Sequence, residues 1–290
     1  MKSMLLMICL LWAGQASIAQ EFKKVDYPEG FSERLNIVYT RVNGWEGKLD
    51  LYLPPAAKAA SSLVINIHGG GWNKGVKESQ RGFDNFFKRG YAVANIEYRL
   101  TQVATAPAAV EDTRCALIYL INHAEEFNIN LSKIVIMGTS AGGHLALMGG
   151  LLENDHRFDT NCKPERKVKV AAIIDKYGIT DVWDWAYGPY KTSKSASSWL
   201  GVQAQDHEFA KSVSPVTYVK KSSPPTFIVH GDADPIVPYE ESLALKSKLD
   251  AAGVKNEMMT VKAGLHGNFT TADNEEMNKN IMAFLIKLGL

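Results

Sequence analysis

Cysteine is scarce. The 290-residue chain has three, and none belongs to a cluster with metal-ligand spacing. A thiolate metal centre is therefore not expected. An excess of either charge is also missing: 32 Lys and Arg stand against 31 Asp and Glu, mixed along the chain, for a net charge of +1. A surface that grips a polyanion needs a basic excess, so nucleic acid is not an expected partner. There are no internal repeats, low-complexity tracts or linkers. Beyond the N-terminus no apolar run is long enough to cross a bilayer. What remains is ordinary for a globular protein, with 46% hydrophobic and 22% charged residues. The length suits one large domain or two small ones and is ample for a sizeable core.

The first residues, MKSMLLMICLLWAGQASIAQ, place Lys2 before an apolar run from Met4 to Ala13, then small residues at Ser17-Ile18-Ala19. This order predicts a signal peptide over residues 1–19, cut before Gln20, and a secreted or periplasmic product. Cys9 lies inside the run rather than at its end, which argues against a lipid anchor. Cys115 and Cys162 remain in the mature chain. They can pair as a disulfide in an exported protein, or Cys115 can be a small core residue of a helix.

Short apolar strands alternate with helical stretches along residues 20–290. Asn36–Thr40 and Lys48–Leu53 read as early strands on either side of Asn43-Gly44. Leu63–Ile67, Tyr91–Ile96, Ile134–Met137, Val168–Ile174, Thr226–Val229 and Glu257–Val261 follow as strands. Lys77–Arg89, a stretch starting at Pro107, Ala141–Leu152, Glu240–Ala251 and Asn274–Leu288 have helical spacing. The alternation predicts an α/β fold with a mostly parallel sheet covered on both faces. Residues 178–211 break the pattern. They carry Trp183, Trp185, Tyr187, Tyr190 and Trp199 and predict an irregular, lid-like excursion.

In open parallel sheets, sites form at the carboxyl ends of strands. Three motifs fall there: His68-Gly69-Gly70-Gly71-Trp72, Gly138-Thr139-Ser140-Ala141-Gly142, and His230-Gly231-Asp232-Ala233-Asp234. Ser140 lies between a strand and a helix in a Gly-x-Ser-x-Gly turn, the setting that presents a nucleophile. A serine hydroxyl needs a base. Of seven histidines, His266 fits best, in the loop after the last strand. His144, one helical turn beyond Ser140, is expected to point away. His230 is expected to pack under its loop, and His68 to shape the glycine run. The carboxylate that orients the base is Asp234, with Asp232 as the alternative. The glycines have a reason under this reading. Attack on a carbonyl creates a negative oxygen, and the N–H groups of Gly70, Gly71 and Ala141 are the expected donors to it. A phosphate loop does not fit, because no Gly-Lys-Ser/Thr ending follows the glycines.

With these motifs the chain resembles an α/β-hydrolase of the HGGG-type esterase/lipase branch, which includes hormone-sensitive-lipase-like enzymes. The likeness covers roughly residues 45–288. It adds Glu97-Tyr98-Arg99-Leu100, Pro107–Asp112, Ser214-Pro215-Val216 and the rest of the 230–238 stretch. It implies ester hydrolysis through an acyl-enzyme, with no metal or organic cofactor. Unlike the lipase-like members, the sequence has little room for an N-terminal helical cap, which implies an open pocket. In this it is similar to exported bacterial acetyl-xylan and feruloyl esterases, which act on acyl groups of plant polysaccharides. The expected substrate is accordingly a small or polysaccharide-linked acyl ester, with Trp72 and Trp183 as expected substrate-binding residues. Other readings on the same scaffold are a serine peptidase, an arylformamidase-like amidase, and a non-catalytic carbohydrate-binding protein.

Overall fold

The computed structural model describes residues 22–189 and 193–290, so the expected signal peptide and Tyr190 lie outside the described residues. Eight strands form one sheet: β1 (Ser32–Val42), β2 (Trp45–Leu53), β3 (Ser61–Ile67), β4 (Ala92–Ile96), β5 (Ile129–Thr139), β6 (Ala172–Lys176), β7 (Thr226–Gly231) and β8 (Asn256–Val261). Their spatial order is β1-β2-β4-β3-β5-β6-β7-β8. The β1–β2 and β2–β4 pairs are antiparallel, and the remaining pairs are parallel.

Side chains alternate between two cores. Leu63, Ile65, Ala94 and Ile136 face one side with α2 (Ala108–Asn122), α3 (Ala141–Leu151) and α7 (Tyr239–Ala251). Val64, Val93, Val135 and Ile174 face the other with α1 (Asp84–Phe87) and α8 (Thr271–Lys287). Strands covered on both faces read as continuous apolar runs, which is why β3 and β4 were legible. Every residue of α3 is buried. Its sequence, AGGHLALMGGL, has no polar face, as a helix enclosed on all sides requires.

Three elements differ most from the sequence reading. Lys77–Arg89 is not one helix. It is a 3₁₀ turn at Lys77–Ser79 followed by the one-turn α1. The Lys77 ammonium is buried and held by Asp50 at 2.8 Å, and Gly82 turns the chain with φ +87°. The expected strand Val168–Ile174 begins only at Ala172. Val168 and Val170 are buried in the core ahead of it, so their apolar character reflects packing rather than pairing. Finally, the 178–211 excursion is mostly helical where described, with α4 (Val182–Tyr187), α5 (Lys194–Leu200) and α6 (His207–Ser212). Asp181 and Asp206 cap α4 and α6 by accepting from the Asp184 and Phe209 N–H groups.

Cys115 of α2 is bonded to Cys162, so the question the sequence left open resolves as a disulfide across a separation of 47 residues. Closing a loop of this length restricts the unfolded chain. Replacing both cysteines by alanine is expected to lower unfolding free energy by about 2–4 kcal/mol, read from urea denaturation of the two proteins.

Candidate active site

The carboxyl ends of β3, β5 and β7 bring the three glycine-bearing motifs to one edge of the sheet. At the end of β5 the chain reverses into α3 within a single residue. Ser140 sits at that reversal with φ +55° and ψ −123°, a region few non-glycine residues adopt. The flanking glycines are enforced by contact. A Cβ on Gly138 would lie 2.1 Å from Gly142 O, and one on Gly142 would lie 2.2 Å from Ile67 O.

Ser140 Oγ is 2.8 Å from His266 Nε2, and His266 Nδ1 is 2.6 Å from Asp234 Oδ2. A carboxylate only accepts, so Nδ1 carries the ring proton and Nε2 faces the serine hydroxyl as acceptor. Asp234 Oδ1 accepts from the N–H groups of Ile236 at 2.7 Å and Val237 at 3.0 Å. Burial alone pushes the Asp234 carboxyl up. The hydrogen bonds from His230, His266 and the Ile236 N–H outweigh burial and hold it far below the ordinary carboxylate range. Asp232 is elsewhere: it accepts from the Ala263 N–H and ties down the turn after β8. Of the two aspartates, only Asp234 is brought to His266.

Gly70 and Gly71 both have positive φ, +119° and +59°. Gly70 O accepts from the N–H groups of Asn73 and Lys74, which closes the loop over the nucleophile. The N–H groups of Gly70, Gly71 and Ala141 donate none of the loop hydrogen bonds found among the described residues. His68 is buried, donates from Nδ1–H to Gly69 O (2.8 Å) and stacks on Tyr98 at 4.3 Å. His144 is fully buried in α3, with Nε2 on Val213 O at 2.8 Å. Burial drives its ring down to about 4, so it stays neutral at ordinary pH.

A cavity of about 480 Å³ opens over Ser140 and His266. Tyr177, Trp185, Ile236, Asn73, Lys74 and Ser195 are part of its lining. The sequence reading missed most of these. Their signal was adjacency: Tyr177 follows β6 at the same sheet edge, Asn73 and Lys74 follow the glycines, and Ile236 follows Asp234. Trp185 Nε1–H donates to Ile236 O at 3.0 Å, which joins α4 to the loop that carries the acid. Tyr177 meets His266 edge-on, 4.9 Å between ring centres. Burial, and then the charge of Asp234, push its hydroxyl up to about 12. No group of three or more His, Cys, Asp or Glu among the described residues is arranged to hold a metal ion.

The expected substrate contacts of Trp72 and Trp183 are corrected. Trp72 is fully buried behind the glycine loop, stacked on Trp199 at 4.2 Å with His144 edge-on at 5.0 Å. Trp183 packs on Tyr187 and His207 rather than in the cavity lining. In a six-residue helix, facing is set by what the helix docks against, so Trp185 reaches the cavity and Trp183 does not. Trp72→Ala is expected to cost about 3–5 kcal/mol of stability, measured by chemical denaturation, as loss of a core side chain.

Under the serine turn, Asp175 of β6 is fully buried. Its Oδ1 accepts from Gly178 N–H at 3.0 Å, and its Oδ2 has no partner among the described residues. Burial pushes this carboxyl up to about 7, against the pull of the Gly178 bond. Glu241 is likewise pushed up to about 7 by burial, although Thr180 and Asp181 donate to it. A carboxyl raised on folding stabilises fully below its unfolded value, about 4. That contribution is lost as pH rises through the folded value. Thermal stability is therefore expected to fall between about pH 4 and about pH 7. In Asp175→Asn the fall is expected to be shallower, with only the Glu241 part remaining, as read from melting temperatures across that range.

Comparison with known proteins agrees with this architecture. The BD-FAE family model matches residues 49–249, and the chain belongs to that family. Esterase LipQ of Mycobacterium tuberculosis is 25% identical over 79% of this chain. Isoprenylcysteine alpha-carbonyl methylesterase ICME of Arabidopsis thaliana is 25% identical over 87% of it. The chain spans 56% and 61% of those two proteins. Among solved structures, a truncated carbohydrate esterase from gut microbiota superposes with TM-score 0.78 at 27% identity, covering 90% of this chain and 99% of that one. A propionate-bound esterase from Thermogutta terrifontis superposes with TM-score 0.72 at 26% identity, covering 90% and 96%.

Proposed function

We propose that this BD-FAE family member is a serine carboxylic-ester hydrolase, and the observation that carries the reading is the continuous chain Ser140–His266–Asp234. Ser140 Oγ attacks the ester carbonyl as its proton passes to His266 Nε2 across 2.8 Å. The imidazolium is stabilised by the ionised Asp234 on its other nitrogen. The negative carbonyl oxygen is received by the N–H groups of Gly70, Gly71 and Ala141. His266 then gives its proton to the departing alcohol, leaving an acyl group on Ser140. Water attacks that ester with His266 again taking the proton, which then passes to the departing Ser140 Oγ as the acid is released. No step calls on a metal or organic cofactor.

The substrate class we favour is an acetyl- or feruloyl-type ester, small or attached to plant polysaccharide. Supporting it is the 480 Å³ cavity, whose lining includes the aromatic Tyr177 and Trp185 and the polar Asn73, Lys74 and Ser195. The likeness to a carbohydrate esterase points the same way. Export to the periplasm or beyond is part of the same reading, supported by the N-terminal sequence pattern and the Cys115–Cys162 disulfide. The meeting of nucleophile, base and acid disfavours a non-catalytic binding protein.

The test is hydrolysis of p-nitrophenyl acetate, methyl ferulate and acetylated xylan. Ser140→Ala is expected to lower kcat by about five to six orders of magnitude. Asp234→Asn is expected to lower it by about 10⁴-fold, and Asp232→Asn to leave most activity in place. An unimpaired Ser140→Ala would overturn the mechanism, and absence of turnover on every ester by the wild type would overturn the function.

A further inference from the structure

His230, at the end of β7, is fully buried, and no step of the acyl transfer above uses it. Its ring nevertheless makes three polar contacts. Nε2 lies 3.1 Å from Val237 O and 3.2 Å from Asp234 Oδ2. Nδ1 lies 2.6 Å from Ser242 Oγ, on α7. The Val237 carbonyl can only accept, so Nε2 carries a proton. With the ring neutral, Nδ1 accepts from the Ser242 hydroxyl. The Nε2–H is directed to Val237 O, and Asp234 Oδ2 lies within 3.2 Å of the same nitrogen. Tyr239 meets the His230 ring edge-on at 5.7 Å.

The consequence lies in how Asp234 is tethered. Its Oδ1 is fixed by two main-chain N–H groups, from Ile236 and Val237. Among the described residues, its Oδ2 is otherwise met only by His266, the ring it has to orient. Without a further donor, carboxylate and imidazole can shift together about the Oδ1 anchor. A second ring N–H on Oδ2, held from behind by a core helix, supplies a fixed reference.

We propose that His230 is a positioning residue: through Nε2–H it fixes Asp234 Oδ2 at the place where His266 Nδ1–H meets it, and Ser242 Oγ fixes the His230 ring in turn. The proposal rests on the reading of Ser140, His266 and Asp234 as the catalytic set. The hydrogen-bond chain then runs over five side chains, Ser242–His230–Asp234–His266–Ser140, from the core to the cavity.

The test uses His230→Leu, His230→Gln and Ser242→Ala in the full chain. It reads kcat and KM on p-nitrophenyl acetate, the melting temperature, and the low-field NMR resonance of the His266 Nδ1 proton, identified by its loss in His266→Ala. Removing a hydrogen bond to a charged group is expected to lower kcat in His230→Leu about tenfold or more. KM is expected to change less than about twofold, and the low-field resonance to move upfield. His230→Gln, whose carboxamide N–H can reach Oδ2, is expected to recover most of kcat and the resonance. Ser242→Ala is expected to shift both in the same direction by a smaller amount. The proposal is overturned if the resonance stays at its wild-type position in His230→Leu, or if His230→Gln recovers nothing that His230→Leu loses. Should His230→Leu not fold, an unmoved resonance in Ser242→Ala overturns it. The resonance is independent of turnover. A wild type that hydrolyses no ester, yet whose resonance responds at position 230, sinks the ester reading and leaves the positioning role standing.

Discussion

The tightest constraint in this molecule is the contact between two turns of main chain at the carboxyl edge of the sheet. The reversal from β5 into α3 passes so close to the end of β3 that no side chain fits at Gly142. Because of that closeness the glycine loop after β3 lies over Ser140, and α3 starts with Ala141 directly beneath the cavity. It also requires α3 to be buried on all sides, which selects its small, apolar sequence. The positive φ of Ser140 is sustained by this packing and by the bond from its N–H to Lys176 O at 2.9 Å. The nucleophile's position is thus a property of the core, not of a flexible loop.

The surrounding polar groups follow the same logic. Arg99 donates to Asp112 and Glu111 and pins the start of α2 to the loop after β4. Glu241 gathers the Thr180 and Asp181 N–H groups, and Ser214 accepts from Val182 N–H while donating to Ala210 O. These contacts hold the excursion of α4 to α6 against the sheet edge through its ends. Trp72, stacked on Trp199 of α5, joins the glycine loop to the same excursion from below. Buried polar groups that are satisfied in this way specify one arrangement, because a displaced partner leaves an unpaired group in the core.

Much of this was legible from residues whose demands are local. Gly138, Gly142 and the glycines at 69–71 announce close main-chain approaches, and apolar runs such as Leu63–Ile67 announce strands buried on both faces. The parallel order then places His266 and Asp234 at the same edge as Ser140. The choice between Asp234 and Asp232 was harder, because it depends on which carboxylate the Ile236 and Val237 N–H groups receive. What was not legible depends on contacts distant in sequence. Lys77 reads as a helix residue until Asp50 is seen to bury it. Val168 and Val170 read as strand, yet fill the core without pairing. The tryptophans carry no mark of facing. Trp72 is sealed by Trp199, more than a hundred positions away, and whether Trp183 or Trp185 meets the cavity depends on where Ile236 O waits for an indole N–H.

Ile236 divides its duties between main chain and side chain. The residue is 47% exposed: its N–H holds Asp234, its carbonyl holds Trp185, and it contributes to the cavity wall. Both supporting contacts come from atoms that every residue except proline possesses. Position 236 is therefore a place where the shape of the chamber can drift through substitution while the acid and the aromatic wall keep their moorings. Selectivity and chemical competence are separable there, within one residue, and diversification of the chamber can proceed without first rebuilding the machinery.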